Sequence, residues 1–304
     1  MKNVALFSGQ GSQYVGMLAD YYDNSVIAKK YIDESNDLLG YSLSEICFEG
    51  PAEKLKETRY TQPAIFLHSV ITFESVKSAF SFEATAGHSV GEYAAMYASG
   101  VLSFQDALKL VSLRGELMFS AGEERPGTMF AIIGMDDEKV IDICSELNSG
   151  DDVVVPANFN SPGQVVISGS REYLRENANI FKENGARMVM ELPVSGAFHS
   201  PLLEPAKNKL GDAINKIDFR EAEIPVYNNI DANKESNPEK LKQKLIDQLI
   251  SPVLWTQTLN NLSNNGFSNF IEIGPGKVLQ GLVKRTLKGV EINGFDKFED
   301  VQNI

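Results

Sequence analysis

The stretch at residues 123–195 carries strand and helix patterns in an order that the segments on either side do not share. Short apolar runs and helix-period segments follow one another there as strand, helix, strand, strand, helix and strand. The turn residues Asn-Ser-Pro-Gly at 160–163 separate the two central strands and predict a hairpin. This order is the ferredoxin-like split arrangement. We therefore predict a ferredoxin-like small domain at 123–195, inserted into a larger domain.

On both sides of the insertion, apolar runs typical of buried strands alternate with helix-forming segments, for example at 4–7 and 26–39. Strands that alternate with helices typically build a mostly parallel sheet with helices packed on it. We therefore predict an α/β fold whose large domain combines residues 1–122 and 196–304.

One helix start and the ranges of three helical segments can be predicted from local patterns. Proline is tolerated in the first turn of a helix, so Thr-Gln-Pro-Ala at 61–64 predicts a helix start. Continuous helical patterns predict one helix at 171–182 and one helical region at 238–262. The last helix is expected at 278–286, followed by a polar tail.

Charge and hydropathy exclude several classes of protein. The chain has 28 Lys and Arg against 41 Asp and Glu, a net charge of −13, so the clustered positive surface of a nucleic-acid or anionic-membrane binder is not expected. No apolar run approaches the roughly 20 residues that span a bilayer, and the run at 4–7 is too short for a signal peptide.

Cys47 and Cys144 have apolar neighbours and are predicted to be buried free thiols. We expect a cytoplasmic protein.

Residues 87–91, Gly-His-Ser-Val-Gly, fit the G-x-S-x-G nucleophile elbow. Small residues precede the serine and helix formers follow it, which predicts a strand, a strained turn and a helix. The helix would point its N-terminal N–H groups at the reaction site. Five residues alone are weakly specific, because an ordinary strand–helix turn also fits. The context favours Ser89 as a nucleophile.

A serine hydroxyl needs an adjacent base to attack at neutral pH. The chain has three histidines. His68 lies in an apolar predicted helix and favours a packing role, whereas His88 adjoins Ser89 on a turn where neighbours point in different directions. His199 lies in a loop, where rigid folds usually present catalytic groups. We predict a pair of Ser89 and His199.

Seven short motifs follow one another over residues 4–288. In chain order they are GQGSQ at 9–13, TQPA at 61–64, GHSVGEY at 87–93, RG at 114–115, NSPGQ at 160–164, GAFHS at 196–200 and EIGPG at 272–276. Together they resemble the malonyl-CoA:acyl carrier protein transacylase family. One departure is Ser8, where the family often has proline; we expect it to change loop rigidity rather than chemistry.

The resemblance implies roles for the residues at the matching positions. Ser89 would carry the malonyl group as an ester, and His199 would take the serine proton and return it to the leaving thiol. The backbone N–H groups of Val90 and Gln10 would form the oxyanion hole. A backbone carbonyl near Gln248 would orient the histidine, in place of an acidic third residue.

The resemblance also implies how the substrate is chosen. Arg114 would bind the free malonyl carboxylate, because a guanidinium presents two parallel donors to a carboxylate. The helical sequence around Arg114 would, by itself, favour a surface arginine, and only the resemblance reverses that interpretation. Gln62 resembles a pocket residue of the family. Phe198, next to His199, is expected to narrow the space for an α-methyl branch.

The implied architecture is an α/β-hydrolase-like large domain with a mostly parallel sheet, the small domain, and an active site in the cleft between them. The implied reaction is a ping-pong transfer of malonyl from malonyl-CoA to the phosphopantetheine thiol of acyl carrier protein, for fatty acid biosynthesis. We expect a monomer that needs no metal or redox cofactor. Basic residues that could contact the carrier protein are Lys182, Arg187, Lys277, Lys284, Arg285 and Lys288.

Three alternatives remain open at this point. A discrete trans-acting acyltransferase of a polyketide synthase would share every motif and differ only in its carrier protein. An acyl-thioester hydrolase would use the same elbow, but a simple esterase has no need of a buried Arg114. A carrier-protein-binding module without activity is disfavoured because both Ser89 and His199 are present.

Overall fold

The strands form two separate sheets in the computed structural model, which describes residues 1–148, 150, 152–302 and 304. In chain order the strands of these residues are β1 (Lys2–Phe7), β2 (Phe82–Gly87), β3 (Gly127–Ile133), β4 (Val154–Ser161), β5 (Gln164–Ser170), β6 (Met188–Glu191), β7 (Val226–Tyr227), β8 (Lys234–Glu235), β9 (Phe267–Ile273) and β10 (Glu291–Phe295). The large sheet has the order β10-β9-β1-β2-β7-β8, and the small sheet has the order β4-β5-β3-β6.

The large sheet is parallel except at one edge, where β8 runs antiparallel to β7. In the register of the three central strands, Phe7 at the end of β1 lies beside Gly87 of β2 and Ile273 of β9. The carboxyl ends of these strands therefore meet at one edge. The motifs that begin at 9, 87 and 272 lie at this edge, which is where ligands usually bind in open α/β sheets.

Helices cover the large sheet and one face of the small one. In chain order they are α1 (Ala19–Asn24), α2 (Val26–Leu39), α3 (Leu43–Phe48), α4 (Ala52–Lys56), α5 (Thr58–Val76), α6 (Gly91–Ala98), α7 (Phe104–Glu124), α8 (Asp137–Leu147), α9 (Arg171–Asn177), α10 (Asn179–Glu183), α11 (Glu204–Ile214), α12 (Pro238–Asp247), α13 (Trp255–Asn264), α14 (Val278–Thr286) and α15 (Phe298–Val301). The predicted bounds of α2 and α14 are confirmed.

The main hydrophobic core surrounds α5, which is buried along most of its length and packs against α6 and α7. The predicted start of this helix at 61–64 is wrong, because the helix begins at Thr58 and Pro63 lies in its second turn. Proline there forgoes one helical hydrogen bond. The crossing with α7 is close: a Cβ at Gly115 would lie 2.8 Å from the carbonyl oxygen of Thr58. This contact brings the α5 and α7 side chains that matter for the site together.

The small antiparallel sheet has its own core, formed with α8, α9 and α10. The predicted strand, helix, strand, strand, helix, strand order is confirmed, as is the overall α/β class with a ferredoxin-like small domain. The single helix predicted at 171–182 is wrong, because α9 and α10 are separated at Ala178. The domain boundaries at 123 and 195 stay a prediction.

Two other predictions differ from the structure. The helical region expected at 238–262 is divided into α12, a 3₁₀ turn (Gln248–Ile250) and α13. The chain is extended between the turn and α13, where Val253 exchanges backbone hydrogen bonds with Ala157 and Phe159 of β4. The polar tail is also structured, because β10 pairs in parallel with β9 and is followed by α15.

Both cysteines are buried free thiols, as predicted. Across the part of the chain that the structure describes, no helix combines the length and the apolar composition that crossing a membrane requires.

Candidate active site

Ser89 lies in a sharp turn between β2 and α6. Its φ of 52° is in the left-handed region that residues other than glycine rarely adopt. The flanking glycines are required by space: a Cβ at Gly87 would lie 2.0 Å from the carbonyl of Gly91, and one at Gly91 would lie 2.2 Å from the carbonyl oxygen of Phe7. The turn therefore holds the Ser89 hydroxyl in a strained, fixed position at the carboxyl edge of the sheet.

His199 is the histidine that contacts this hydroxyl. Ser89 Oγ lies 2.8 Å from His199 Nε2, and His199 also has a left-handed backbone, with a φ of 56°. On the other side of the ring, Nδ1 lies 3.0 Å from the carbonyl oxygen of Gln248 and 3.1 Å from that of Ser251. Carbonyls only accept, so Nδ1 carries the proton and Nε2 is free to accept the proton of Ser89.

Burial, together with the charge of Arg114, lowers the pKa of His199 to about 3. The ring is therefore neutral at physiological pH and can act as a base. Among the described residues no carboxylate hydrogen-bonds to it; the two backbone carbonyls orient it instead.

Arg114 is 1 % exposed and reaches the same hydroxyl from α7. Its Nη2 donates to Ser89 Oγ at 3.1 Å and to Gln248 Oε1 at 3.0 Å, and its Nη1 donates to Gln62 Oε1 at 2.8 Å. Its Nε has no hydrogen-bond partner among the described residues. The guanidinium also lies over the ring of Tyr93, 5.8 Å from its centroid. A buried cation that still has an unpaired N–H donor is suited to bind an anionic group of a ligand.

Gln248 hydrogen-bonds to both His199 and Arg114, the two residues that contact the Ser89 hydroxyl. Its backbone oxygen accepts from His199, and its side-chain oxygen accepts from Arg114. Its side-chain nitrogen donates to the backbone oxygen of Ser89 at 2.9 Å. The break between α12 and α13 makes this possible, because the 3₁₀ turn brings the backbone of Gln248 and Ser251 to the ring of His199.

Two buried polar residues that the sequence reasoning missed brace the turn. Asn229 accepts from the backbone N–H of Ser89 at 2.7 Å and donates to the carbonyl of Gly87 at 2.7 Å. Glu92, fully buried on α6, accepts from the backbone N–H of Asn229 and from Gln248 Nε2. Glu92 could have been noticed as the one charged residue in an otherwise apolar helix. Asn229 has no comparable local signal.

A cavity of about 150 Å³ lies over the hydroxyl. Ser89, His199, Gln10 and Phe198 line it together with residues of the small sheet, so the site lies between the two sheets. The backbone N–H groups of Gln10 and Val90 donate to no protein acceptor in the described part of the chain. Val90 itself is buried at the start of α6.

Two further cavities lead away from this one. A cavity of about 510 Å³ shares the walls Gln10, Asn160 and Leu192 with the first. A cavity of about 390 Å³ shares Gln164 with the second and is also lined by Arg187 and Arg285. Through these shared wall residues, the three cavities follow one another from Ser89 to Arg187 and Arg285 at the protein surface.

The other two histidines lie elsewhere. His88 Nε2 contacts Asn160 Oδ1 at 2.8 Å, its ring packs edge-on against Trp255, and burial lowers its pKa. His68 is fully buried behind the sheet, with Nε2 3.2 Å from Asp296 Oδ1. Neither histidine is within hydrogen-bond distance of the Ser89 hydroxyl.

Comparisons with known proteins agree over the full length of the chain. The family model described as acyl transferase domain matches residues 4–299. A malonyl CoA-acyl carrier protein transacylase of Bacillus subtilis is 42% identical over 298 residues, which cover 97% of this chain and 94% of the relative.

Solved structures are equally similar. An acyl carrier protein S-malonyltransferase from Vibrio cholerae superposes with a TM-score of 0.94 at 40% identity, covering 100% of this chain and 99% of the other. A malonyl-transacylase solved in complex with the acyl-carrier protein of a type II polyketide synthase superposes with a TM-score of 0.95 at 37% identity, covering 100% and 98%.

Proposed function

This chain belongs to the malonyl-CoA:acyl carrier protein transacylase family, and we propose that it transfers malonyl from malonyl-CoA to the phosphopantetheine thiol of an acyl carrier protein through an ester on Ser89. The observation that carries the proposal is the convergence on one hydroxyl: His199 Nε2 lies 2.8 Å and the buried Arg114 Nη2 lies 3.1 Å from Ser89 Oγ. A base and a cation at the same oxygen suit a nucleophile that must hold an anionic acyl group.

In the first half-reaction, Ser89 Oγ attacks the thioester carbonyl while His199 Nε2 takes the hydroxyl proton. The tetrahedral intermediate then expels the thiolate of coenzyme A, which receives that proton from His199. The second half-reaction runs in reverse with the carrier thiol: His199 takes the thiol proton, the thiolate attacks the ester, and Ser89 Oγ regains a proton. Burial disfavours the imidazolium, so His199 releases each proton readily.

The negative oxygen of the tetrahedral intermediate needs donors that are already in place. The N–H groups of Gln10 and Val90 are the proposed donors, since neither donates to an acceptor among the described residues and Val90 is the N-cap residue of α6. In other enzymes the loss of one such donor costs about 3–4 kcal/mol in the transition state. Because these are backbone groups, side-chain replacement of Gln10 does not remove them.

Arg114 is the proposed determinant of malonyl selectivity. It already lies beside Ser89 Oγ, so a carboxylate at the end of a short acyl group on that oxygen comes within its reach. Its Nε–H has no hydrogen-bond acceptor among the described residues, and Gln62 and Gln248 hold its terminal nitrogens in place. Phe198, which lines the cavity, is proposed to limit space for an α-methyl branch.

The two outer cavities are the proposed path of the phosphopantetheine arm. Arg187 and Arg285 line the outermost one, where they could contact phosphate groups of coenzyme A or of the carrier arm. Lys284 and Lys288 line a neighbouring surface cavity. Because the chain as a whole is acidic, such a local basic patch is needed to attract an acidic carrier protein. We also propose that the reaction needs no metal or redox cofactor and occurs in the cytoplasm.

Intact-protein mass spectrometry after brief mixing with malonyl-CoA tests the proposal. The wild type should gain one malonyl group, lose it on addition of carrier protein and pass it to the carrier thiol. Ser89→Ala should gain nothing. Release of free malonate at the same rate without a thiol acceptor would instead identify a hydrolase, and labelling that persists in Ser89→Ala would contradict the proposed ester.

A second candidate, malonyl transfer to a polyketide carrier, is supported by the similarity to the transacylase solved with such a carrier protein. The two functions share the first half-reaction. They are separated by comparing kcat/KM for a fatty acid synthase carrier protein and a type II polyketide carrier protein, which we expect to favour the fatty acid carrier.

A further inference from the structure

Glu92 is a buried carboxylate that the reaction described above does not use. It is fully buried in the first turn of α6, three residues after the nucleophile. Oε2 accepts from Gln248 Nε2 at 2.9 Å and from the backbone N–H of Asn229 at 3.1 Å. Oε1 has no hydrogen-bond partner among the described residues. Burying a carboxyl group in this way is costly, so the contacts that it makes need an explanation.

The Gln248 amide can in principle be placed in two orientations, since its oxygen and nitrogen ends have nearly the same shape. In the observed orientation the oxygen faces Arg114 Nη2, while the nitrogen faces the carbonyl of Ser89 and the carboxyl of Glu92. The reverse orientation would place an NH₂ group against a guanidinium, which has no acceptor, and an oxygen against three other oxygens, those of Ser89, Glu92 and Asn229. The oxygens of Glu92, Ser89 and Asn229, together with the Nη2 donor of Arg114, therefore determine which end of the amide faces the guanidinium, and Glu92 and Ser89 make the shorter contacts.

Glu92 reaches the guanidinium of Arg114 only through the side-chain amide of Gln248. None of the described carboxylates forms a salt bridge with Arg114, and the Gln248 amide lies between it and Glu92. A carboxylate bonded directly to Arg114 would occupy the donors that a substrate carboxylate needs. An intervening amide fixes the guanidinium and leaves the Nε hydrogen unused.

We propose that Glu92 is a positioning residue for substrate selection: by fixing the orientation of the Gln248 amide, it holds Arg114 where the guanidinium can bind the carboxylate of the acyl group. This inference rests on the proposed malonyl transfer. Oε2 can accept from Gln248 whether or not Oε1 carries a proton, so the positioning does not depend on the ionisation of Glu92.

Glu92→Met and Glu92→Gln test the proposal, because methionine removes both oxygens at similar length and glutamine keeps one acceptor. Each rate is divided by the concentration of Ser89 that a serine-reactive probe labels, so misfolded protein does not contribute. For Glu92→Met, the ratio of kcat/KM for malonyl-CoA to that for acetyl-CoA should fall by about tenfold. For Glu92→Gln, the ratio should stay within about threefold of the wild type.

A merely structural role would lower the rates with both thioesters by the same factor, leave the ratio unchanged, and overturn the proposal. An equal fall of the ratio in Glu92→Gln and Glu92→Met would overturn it as well. Glu272 offers a matched control, since it is 1 % exposed and accepts from Ser8 Oγ and from the N–H groups of Leu279 and Gln280. None of these partners hydrogen-bonds to Arg114. Glu272→Met should leave the ratio unchanged.

A double-mutant cycle decides whether the effect passes through Arg114. In an Arg114→Ala background, Glu92→Met should change the malonyl-to-acetyl ratio by less than about twofold. The same tenfold fall in both backgrounds would overturn the proposal. A wild-type enzyme that forms no malonyl ester would instead refute the proposed function, so the two failures are distinguishable.

Discussion

Two polar clusters in the large domain, one around the buried Arg114 and His199 and one only partly buried, contain similar groups and differ in which hydrogen-bond donors lack a partner among the described residues. The first, which we call the catalytic cluster after its proposed role, consists of Ser89, His199 and Arg114. The C-terminal cluster consists of Tyr14, His68 and Asp296, where Tyr14 donates to Asp296 Oδ1 at 2.8 Å and His68 lies 3.2 Å from the same oxygen. Each cluster joins a hydroxyl and an imidazole within the protein interior.

The surroundings of the two histidines differ. His199 is oriented by neutral carbonyls and faces a cavity, and both it and Ser89 have a left-handed backbone. His68 faces a carboxylate, and no residue of the C-terminal cluster has a positive φ. The comparison shows that the hydroxyl and imidazole proposed to be reactive are the ones that combine a strained backbone, an adjacent cavity and a nearby unpaired donor. Elsewhere the same groups hold segments together.

The largest expected effect separates the two histidines by function. His199→Ala should lower kcat/KM for malonyl transfer by about 10²–10⁴-fold, because it removes the proposed general base. His68→Ala should leave the rate per labelled Ser89 within about threefold but lower the free energy of unfolding by about 1–3 kcal/mol, since it leaves Asp296 with one partner fewer. Transfer assays and urea unfolding measure the two quantities. A comparable loss of rate in both variants would remove the distinction between the clusters.

The second prediction uses the raised pKa of Glu92, a shift opposite in direction to that of Asp296 in the C-terminal cluster. Burial raises the pKa of Glu92 to about 7. Between the unfolded value of about 4.3 and this value, the native state holds a proton that the unfolded state has lost, so the stability contributed by Glu92 falls as pH rises. Relative to wild type, Glu92→Gln should therefore become more stable from pH 4 to pH 8, by up to roughly 3 kcal/mol. The difference in urea midpoints measures it, and a constant difference would contradict the shift.

The residues of the catalytic cluster could be selected from the sequence because they lie in short motifs with recognisable chemistry, and the structure brings them together. The elbow at 87–91 combines a local strand–turn–helix pattern with two glycines that space requires. The functions of Glu92 and Asn229 could not be predicted, because their partners lie 137 or more positions away along the chain. A contact between such distant segments leaves no local pattern in either.

The fold shows the same division. Long amphipathic segments such as α2 and α14 could be predicted to the residue, since their periodicity is local. The strand β10 was missed because it lies at the sheet edge, where no residue is fully buried and its sequence is correspondingly polar. The break after α12 was missed because it depends on Val253 pairing with the small sheet, a contact that the helical pattern does not contain.

The third prediction concerns the unused donor of the catalytic cluster. Arg114→Ala should lower the ratio of kcat/KM for malonyl-CoA to that for acetyl-CoA by about 10–100-fold, as expected for the loss of a charge-assisted hydrogen bond. Arg114→Lys should restore only part of it, because an ammonium has no planar fork. Arg59, on the neighbouring α5 and bonded to Glu57, provides the control, and Arg59→Ala should leave the ratio unchanged. An unchanged ratio in Arg114→Ala would remove its role in selecting the substrate.

The smallest expected effect belongs to the C-terminal cluster. Burial would raise the pKa of Asp296, but the contact with His68 and the hydrogen bond from Tyr14 hold the pKa below its usual value. A lowered pKa contributes stability that is present above the unfolded value of about 3.9 and is lost as pH falls through the native value. Asp296→Asn should therefore cost about 1 kcal/mol at pH 7, and this difference from wild type should shrink below about pH 4. The rate per labelled Ser89 should not change, because the cluster binds β10 to α5 and contacts neither Ser89 nor His199. A fall in that rate without a fall in stability would show that the two clusters are coupled through the sheet.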